Sequence, residues 1–530
     1  MAEFITAAQA AALVRDEDKL VVAGFGSYAS PEELMEALAL RYETEGHPQK
    51  LTAICGITPG DKTEAEEPNK GMNLGLNRLK APGLLDKVLV GNLTDARAIA
   101  YMAGRNEIAA YIPPMGVMCN LFRAVAGGRP GLITRVGLGT FADPRLEGCA
   151  VNERARSEGS VVSLMEIDGE EYLFYKSFRP DVCFLRATYA DEDGNLSMLH
   201  EGVQGSELEI AVGTHNNGGI VIAQVENICA RGSLPTRDIR IHGKLVDYVV
   251  VAQNPVHQRQ CYARDGYRPE LCGLTRTPSG KTKKLPLSAR KVLARRAAME
   301  LAPGQIINIG SGIPSGIGSV AAEEGIRGLT TSVESGPMGG EVQEGLSFPG
   351  VANAEAIFYQ CDTIDMYDGG MLDVAFLGFA EVDRHGNVNV SKFAGRCIGA
   401  GGFIDISQNA KKVFFMGTFT NKAELAFADG GLRILTEGKG MKFVDEVQQV
   451  TFSGDYAVKN GQQVYYLTER CVFELTAEGL KIVEIAKAVD LQRDILDKMA
   501  FRPLVSPELR FMDERLFAQE PMGLTADIPG

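Results

Sequence analysis

The 530-residue sequence predicts an α/β protein of two similar domains with a cleft between them. Three observations lead there. Apolar runs such as VDYVVVA, KVFFMGTF and QVYYLT are continuous rather than alternating, as strands covered on both faces require, and helical stretches separate them. One segment recurs without gaps: residues 181–195, DVCFLRATYADEDGN, and 373–387, DVAFLGFAEVDRHGN, lie a constant 192 positions apart. The length also exceeds what one hydrophobic core organises.

Taken in order, the opening residues MAEFITAAQAAALVRDEDK read as an amphipathic helix. The strand and glycine loop KLVVAGFGS follows, and it is echoed by QIINIGSG in the second half, Gly24 matching Gly310 and Gly26 matching Gly312. Each half therefore opens with strand, glycine loop and helix, and later carries the duplicated hairpin. The interval from loop to hairpin is 167 residues in the first half (Gly24 to Asp191) and 73 in the second (Gly310 to Asp383), so the first half holds the larger insertion. Residues 273–284, GLTRTPSGKTKK, are polar, basic and aperiodic, and read as linker. Ser288 then caps a helix in ARKVLARRAAMEL, which Pro303-Gly304 ends. The expected boundaries are 1–272, a linker over 273–287, and 288–530.

A net charge of −14 argues against non-specific binding to nucleic acid or to an anionic membrane surface. No apolar run approaches the roughly 18 residues a membrane span needs. The N-terminus carries acids where a secretory signal has lysines, so a cytoplasmic protein is expected. Ten cysteines without any C-x-x-C pair, several inside strand-like runs, fit buried reduced thiols. Six histidines without metal-ligand spacing predict no metal site.

Two motifs are dismissed. Gly280-Lys281-Thr282 lacks the glycine a phosphate loop needs five residues earlier, where Thr275 stands. Asp191-Glu192-Asp193-Gly194-Asn195 has a duplicate, Asp-Arg-His-Gly-Asn, that no calcium loop would tolerate, so it is a hairpin turn.

Three clusters remain. The first is SVESGPMGG, where the run 329–333 ends on Glu334 and small residues follow, reading as a clearing that lets a bulky partner approach the carboxylate. The second is the loop of Gly310, Ser311, Gly312, Ile313 and Pro314 after the strand-like IINI, where free backbone N–H groups at a helix start can hold a phosphate. The third is Gly399-Ala400-Gly401-Gly402, which offers several unhindered amides. The equivalent first-half regions lack both the glutamate and the glycine cluster, which suggests chemistry kept in one copy and a substrate pocket shaped by the other. A rival reading makes the second cluster a dinucleotide fingerprint of an NAD(P)-binding oxidoreductase, with Glu334 on a ribose hydroxyl. Against it, the spacing is G-x-G-x-x-x-G and residues 335–340 go unexplained.

V-E-S-G-P-x-G-G, N-x-G-x-G-I-P and G-x-G-G in that order resemble the family I CoA transferases, of the fused single-chain acetate/propionate type, and the likeness runs over essentially the whole chain. The resemblance implies two Rossmann-like domains with the active site at their interface, and a homo-oligomer, dimer or tetramer. It makes Glu334 the nucleophile of a ping-pong exchange of CoA between a short-chain acyl-CoA and a small carboxylate, with CoA as substrate and as covalent glutamyl thioester and no permanently bound cofactor. It makes Gly399, Gly401 and Gly402 the oxyanion loop, with Asn308 a candidate to support it. The loop Gly310 to Pro314 would receive CoA. Gly24, Phe25, Gly26, Ser27, Met115 and Gly116 match places where relatives shape the acyl pocket; many relatives carry Gln where Met115 stands, which points to a more apolar pocket here. A non-catalytic CoA-binding protein is the alternative from another class.

Overall fold

The computed structural model of the chain describes residues 2–62, 73–263, 266–278, 284–393, 396–428 and 430–526. The Gly280-Lys281-Thr282 triplet of the linker lies outside them. The chain gathers into two compact units. One contains Met1–Thr277, Glu334–Asp365 and Lys392–Asp405; the other contains Pro278–Val333, Met366–Ser391 and Ile406–Gly530. Two segments from late in the chain thus pack with the first half, and Glu334 is among them.

The first unit is built on eight strands: β1 (Glu3–Phe4), β2 (Lys19–Val22), β3 (Leu51–Cys55), β4 (Leu85–Val90), β5 (Ala109–Tyr111), β6 (Val182–Arg186), β7 (Ile220–Val225) and β8 (Tyr248–Val251). Their order is β1-β8-β7-β6-β2-β3-β4-β5, with every pair parallel. The continuous apolar runs are buried on both faces, as β6 shows: all five of its residues are inaccessible. Strand order reverses beside β2, so the carboxyl end of β2, where Gly24 and Phe25 follow, opens at a topological switch point.

The second unit repeats the plan with β9 (Ile306–Ile309), β10 (Thr330–Thr331), β11 (Val374–Gly378), β12 (Lys412–Met416), β13 (Gln463–Leu467), β14 (Cys471–Thr476), β15 (Gly479–Ile485) and β16 (Leu504–Phe511). The order is β10-β9-β11-β12-β13-β14-β15-β16; β14 runs antiparallel to its neighbours and the other pairs are parallel. Phe376, Phe414 and Tyr465 are register partners on β11, β12 and β13, and their rings stack at 5.3 and 5.2 Å. Here the switch point is at β9, and the loop Gly310 to Pro314 follows that strand. Ser288 caps the helix Ala289–Ala298, accepting from the Lys291 N–H, as the sequence predicts.

The opening segment departs from the sequence reading. Thr6 and Gln9 form a capping box, so the helix begins at Ala7 and runs only to Ala12. Glu3 and Phe4 are extended and pair with β8 instead, where backbone partners outweigh the weak helical pattern.

The duplicated hairpin is the same structure twice, hydrogen bond for hydrogen bond. Asp191 Oδ1 accepts from the amides of Asp193 and Asn195 at 3.0 Å each, and Asn195 Oδ1 accepts from the Gly243 amide at 2.9 Å. Asp383 Oδ1 accepts from His385 and Asn387 at 3.0 Å each, and Asn387 Oδ1 from Gly454 at 2.9 Å. The aspartates hold backbone donors in a turn, as expected of a hairpin. Asp383 is 2% exposed. Asp383→Ala should therefore lower stability by roughly 1–3 kcal/mol through its stranded amides, read as a lower denaturation midpoint with an unchanged m-value.

Candidate active site

Glu334 lies three residues past β10, where the strand end is anchored from several sides. The Ser332 amide donates to the Ile307 carbonyl at 2.8 Å, and Asn308 Nδ2 donates to the Ser332 carbonyl at 3.0 Å. The Ser332 hydroxyl shares a 2.8 Å hydrogen bond with the Tyr367 phenol. Asn308 is 2% exposed, so its amide fixes the peptide two residues ahead of the glutamate; its Oδ1 has no partner among the described residues. Glu334 itself is half-buried.

The glycines behind Glu334 do not make a clearing. Pro337–Met338 pairs with Ala356–Ile357 and Glu341–Val342 with Val351–Ala352, so the chain doubles back on itself. At Gly336, with φ +124°, a Cβ would stand 2.1 Å from the Phe358 carbonyl oxygen; at Gly340 it would stand 2.4 Å from that of Ala352. At Gly339 it would meet the Glu355 Cγ at 2.6 Å. The space the sequence reading gave to a ligand is filled by the neighbouring ribbon, and these glycines serve close backbone packing.

Beside Glu334 lies a carboxyl the sequence reading missed. Asp405, in the first turn of the helix Phe403–Asn409, is 0% exposed. Its Oδ2 accepts from the Gly116 amide at 3.1 Å, and its Oδ1 has no partner among the described residues. Burial pushes its pKa up to about 7; the Gly116 N–H opposes the rise and the charge of Glu334 adds to it. Gly116 is where only glycine fits, since a Cβ would stand 2.4 Å from Asp405 Oδ1 and 2.6 Å from Ile364 Cγ2. The one local signal is an acid set between two buried isoleucines in FIDIS.

The glycine loop before Asp405 is stitched to first-half segments. Leu93 donates its amide to the Ile398 carbonyl at 2.7 Å, Gly401 donates to Gly91 at 3.1 Å, and Met115 donates to Gly401 at 3.1 Å. The Gly401 N–H is thus already engaged, which removes it from the expected oxyanion set. The amides of Gly399 and Gly402 have no acceptor among the described residues. Gly399, with φ +79°, packs against Ile112 and Asn92.

Of the expected pocket residues, Phe25 and Met115 meet in one apolar cluster with Ile57, Cys119, Cys361 and Ile364. Ser27 turns elsewhere, its hydroxyl donating to the Leu346 carbonyl. Gly24 and Gly26, at φ +132° and +57°, shape the turn that Phe25 and Tyr28 close with two 2.9 Å hydrogen bonds. In the second unit, the Gly310 amide donates into the sheet to Phe376 at 2.8 Å, and Ser311 and Gly312 are exposed. No atom lies within 4 Å of a Cβ built at Gly312. The Ser315 hydroxyl closes the loop onto the Gly312 carbonyl at 2.9 Å, ahead of the helix Gly316–Glu324.

The α/β scaffold thus presents a half-buried carboxylate, Glu334, whose charge is felt by the buried carboxyl of Asp405. The model of the coenzyme A transferase family matches residues 4–252. The caffeate CoA-transferase of Acetobacterium woodii is 44% identical over 532 residues, covering 99% of each chain. The acetate CoA-transferase YdiF of Escherichia coli strain K12 is 41% identical, covering 98% of this chain and 96% of that one. The apoenzyme crystal structure of the acyl-CoA transferase YdiF from Escherichia coli O157:H7 superposes with a TM-score of 0.92 at 41% identity, over 98% of this chain and 97% of that one. A thioester complex of that protein with CoA superposes at 0.90 and 40% identity, with the same coverage. The chain belongs to the coenzyme A transferase family and is a single-chain enzyme of the CoA-transferase class.

Proposed function

We propose that the chain moves CoA between a short-chain acyl-CoA and a free carboxylate by a ping-pong route through Glu334. The observation that carries this reading is the placement of Glu334: a half-buried carboxylate on an anchored strand end, with Asp405 and the Gly399–Gly402 loop in the same compact unit. The solved thioester complex of a 40% identical protein supports it.

The Glu334 carboxylate attacks the acyl-CoA carbonyl, and CoA is expelled as thiolate, leaving a mixed anhydride of Glu334 and the acyl group. The thiolate then attacks the Glu334 carbonyl, forming the glutamyl-CoA thioester and releasing the first carboxylate; an acceptor carboxylate reverses both steps. One thioester is traded for another, so no ATP is consumed. Each tetrahedral intermediate carries an oxyanion, and the N–H groups of Gly399 and Gly402 are its candidate donors, each typically worth about 3–4 kcal/mol. Asn308 supports the reaction through the peptide of Ser332. The exposed loop at Ser311 and Gly312 is the candidate CoA contact.

The apolar cluster of Phe25, Ile57, Met115, Cys119, Cys361 and Ile364 favours an acyl group without polar substituents near its carbonyl. Relatives named for acetate and for caffeate bracket the range to assay. A panel of carboxylates against one acyl-CoA donor ranks the acceptors, and light scattering tests the proposed homo-oligomer. The decisive measurement is mass spectrometry of the protein after incubation with acyl-CoA. A CoA adduct on residue 334, discharged by hydroxylamine, is the expected result; turnover without that adduct overturns the reading.

A further inference from the structure

The ribbon behind Glu334 ends in a tip that first-half side chains hold. Its two rungs pair Pro337–Met338 with Ala356–Ile357 and Glu341–Val342 with Val351–Ala352, and residues 343–350 form the tip. Within the tip, the Gly350 amide donates to the Ser347 carbonyl at 2.9 Å and closes a four-residue turn. The Gln343 amide donates to the Gly350 carbonyl at 2.9 Å. Two adjacent side chains reach this turn from the loop after β2. The Ser27 hydroxyl donates to the Leu346 carbonyl, and the Tyr28 phenol donates to the Ser347 carbonyl at 2.7 Å. Gly350 leaves room for that phenol, since a Cβ there would collide with its oxygen.

The same turn meets the residue beside the nucleophile. The Ser335 hydroxyl, on a fully buried residue, donates to the Pro349 carbonyl at 3.4 Å. Only Phe348 separates the residue whose carbonyl Tyr28 holds from the one whose carbonyl Ser335 holds. Tyr28 is itself 0% exposed, and its backbone is bonded to that of Phe25 in both directions at 2.9 Å. Both rings belong to the apolar cluster that contains Met115. The wall of the candidate acyl pocket and the support of Glu334 thus converge on the turn from Ser347 to Gly350.

We propose that Tyr28 is a positioning residue: its phenol fixes the turn from Ser347 to Gly350, and the turn, through Pro349 and Ser335, fixes the peptide that carries Glu334. This rests on the reading of Glu334 as nucleophile. The fold does not depend on the phenol for satisfied hydrogen bonds. Without it, the Ser347 carbonyl keeps the Gly350 amide, and a phenylalanine keeps the ring in the apolar cluster. No buried acceptor is orphaned, so losing the hydroxyl acts on placement more than on stability. Placement is where an attacking group is sensitive, since a shift of about an ångström can cost roughly a hundredfold in rate.

The test follows formation of the adduct on residue 334 in a single turnover, over a range of acyl-CoA concentrations. It compares the wild type with Tyr28→Phe, Ser335→Ala and the double variant. Tyr28→Phe should lower the saturating rate by about tenfold or more and leave the half-saturating concentration within about twofold. A merely structural tyrosine would do the reverse, lowering the thermal midpoint and sparing the rate of the folded enzyme. Ser335→Ala should also slow the saturating rate, and the double variant should be no slower than the slower single one, because both act through one turn. Losses that multiply, or a wild-type saturating rate in Tyr28→Phe, overturn the proposal. A raised half-saturating concentration at an unchanged saturating rate overturns it too, since Tyr28 would then be a binding group. If Tyr28→Phe fails to fold, Ser27→Ala frees the same tip at Leu346, and a wild-type saturating rate there overturns the proposal. Turnover by the wild type without any adduct sinks the nucleophile reading; an adduct formed equally fast in every variant sinks this inference alone.

Discussion

Replacing Glu334 by alanine should abolish CoA exchange, lowering kcat/KM by at least about 10⁴-fold, as removal of a covalent nucleophile does elsewhere. Thermal stability should change little. The side chain is half-buried at a strand end and the anchors are its neighbours: the Ser332 peptide held by Asn308 and Ile307, and the Ser332 hydroxyl on Tyr367. Glu334→Asp is the sharper probe. It keeps the charge and withdraws the carboxylate by one methylene, and a misplacement of about an ångström can cost roughly a hundredfold. Steady-state exchange assays, with circular dichroism as the control for folding, check both variants. A Glu334→Ala enzyme that still turns over at wild-type rate would remove the central residue from the mechanism.

What the sequence made legible is what neighbouring residues decide among themselves. Buried parallel strands announce themselves as unbroken apolar runs, and Phe376, Phe414 and Tyr465 came out as cross-strand partners in three of them. The duplicated turn was readable because its aspartate binds amides only two and four residues on. The nine-residue stretch around Glu334 singled out the carboxylate proposed here as nucleophile and misled about the glycines behind it. Their partners, Phe358, Ala352 and Glu355, lie on a returning ribbon that no local pattern reveals. Asp405 was invisible for the same reason: its hydrogen bond reaches Gly116 across 289 residues. Gly401 looked like a free amide until Gly91, more than three hundred positions earlier, proved to accept from it. Composition and period report burial; they do not report which distant backbone a glycine was left small to meet.

That distinction gives the second large effect, at Gly336. An alanine there takes on two costs at once. Its φ of +124° lies where side-chain-bearing residues are strained by about 1–3 kcal/mol. Its Cβ would also stand 2.1 Å from a backbone oxygen, that of Phe358, which is itself tied back because the Phe358 amide donates to the Gly336 carbonyl at 3.0 Å. Neither end of that contact can move without shifting the peptide chain two residues from Glu334. Gly336→Ala should therefore cut exchange by roughly a hundredfold or more, through displacement of the carboxylate. Gly461→Ala is the control: at φ +67° it is strained too, but no atom lies within 4 Å of the new Cβ, so Glu334 keeps its place and acyl-CoA still modifies it. The form of the loss separates packing from access. If Gly336 served to admit bulky acyl partners, its alanine variant would spare acetyl-CoA and penalise a large acyl-CoA. A structural glycine penalises both alike, and an unchanged ratio of the two kcat/KM values is the outcome the returning ribbon requires.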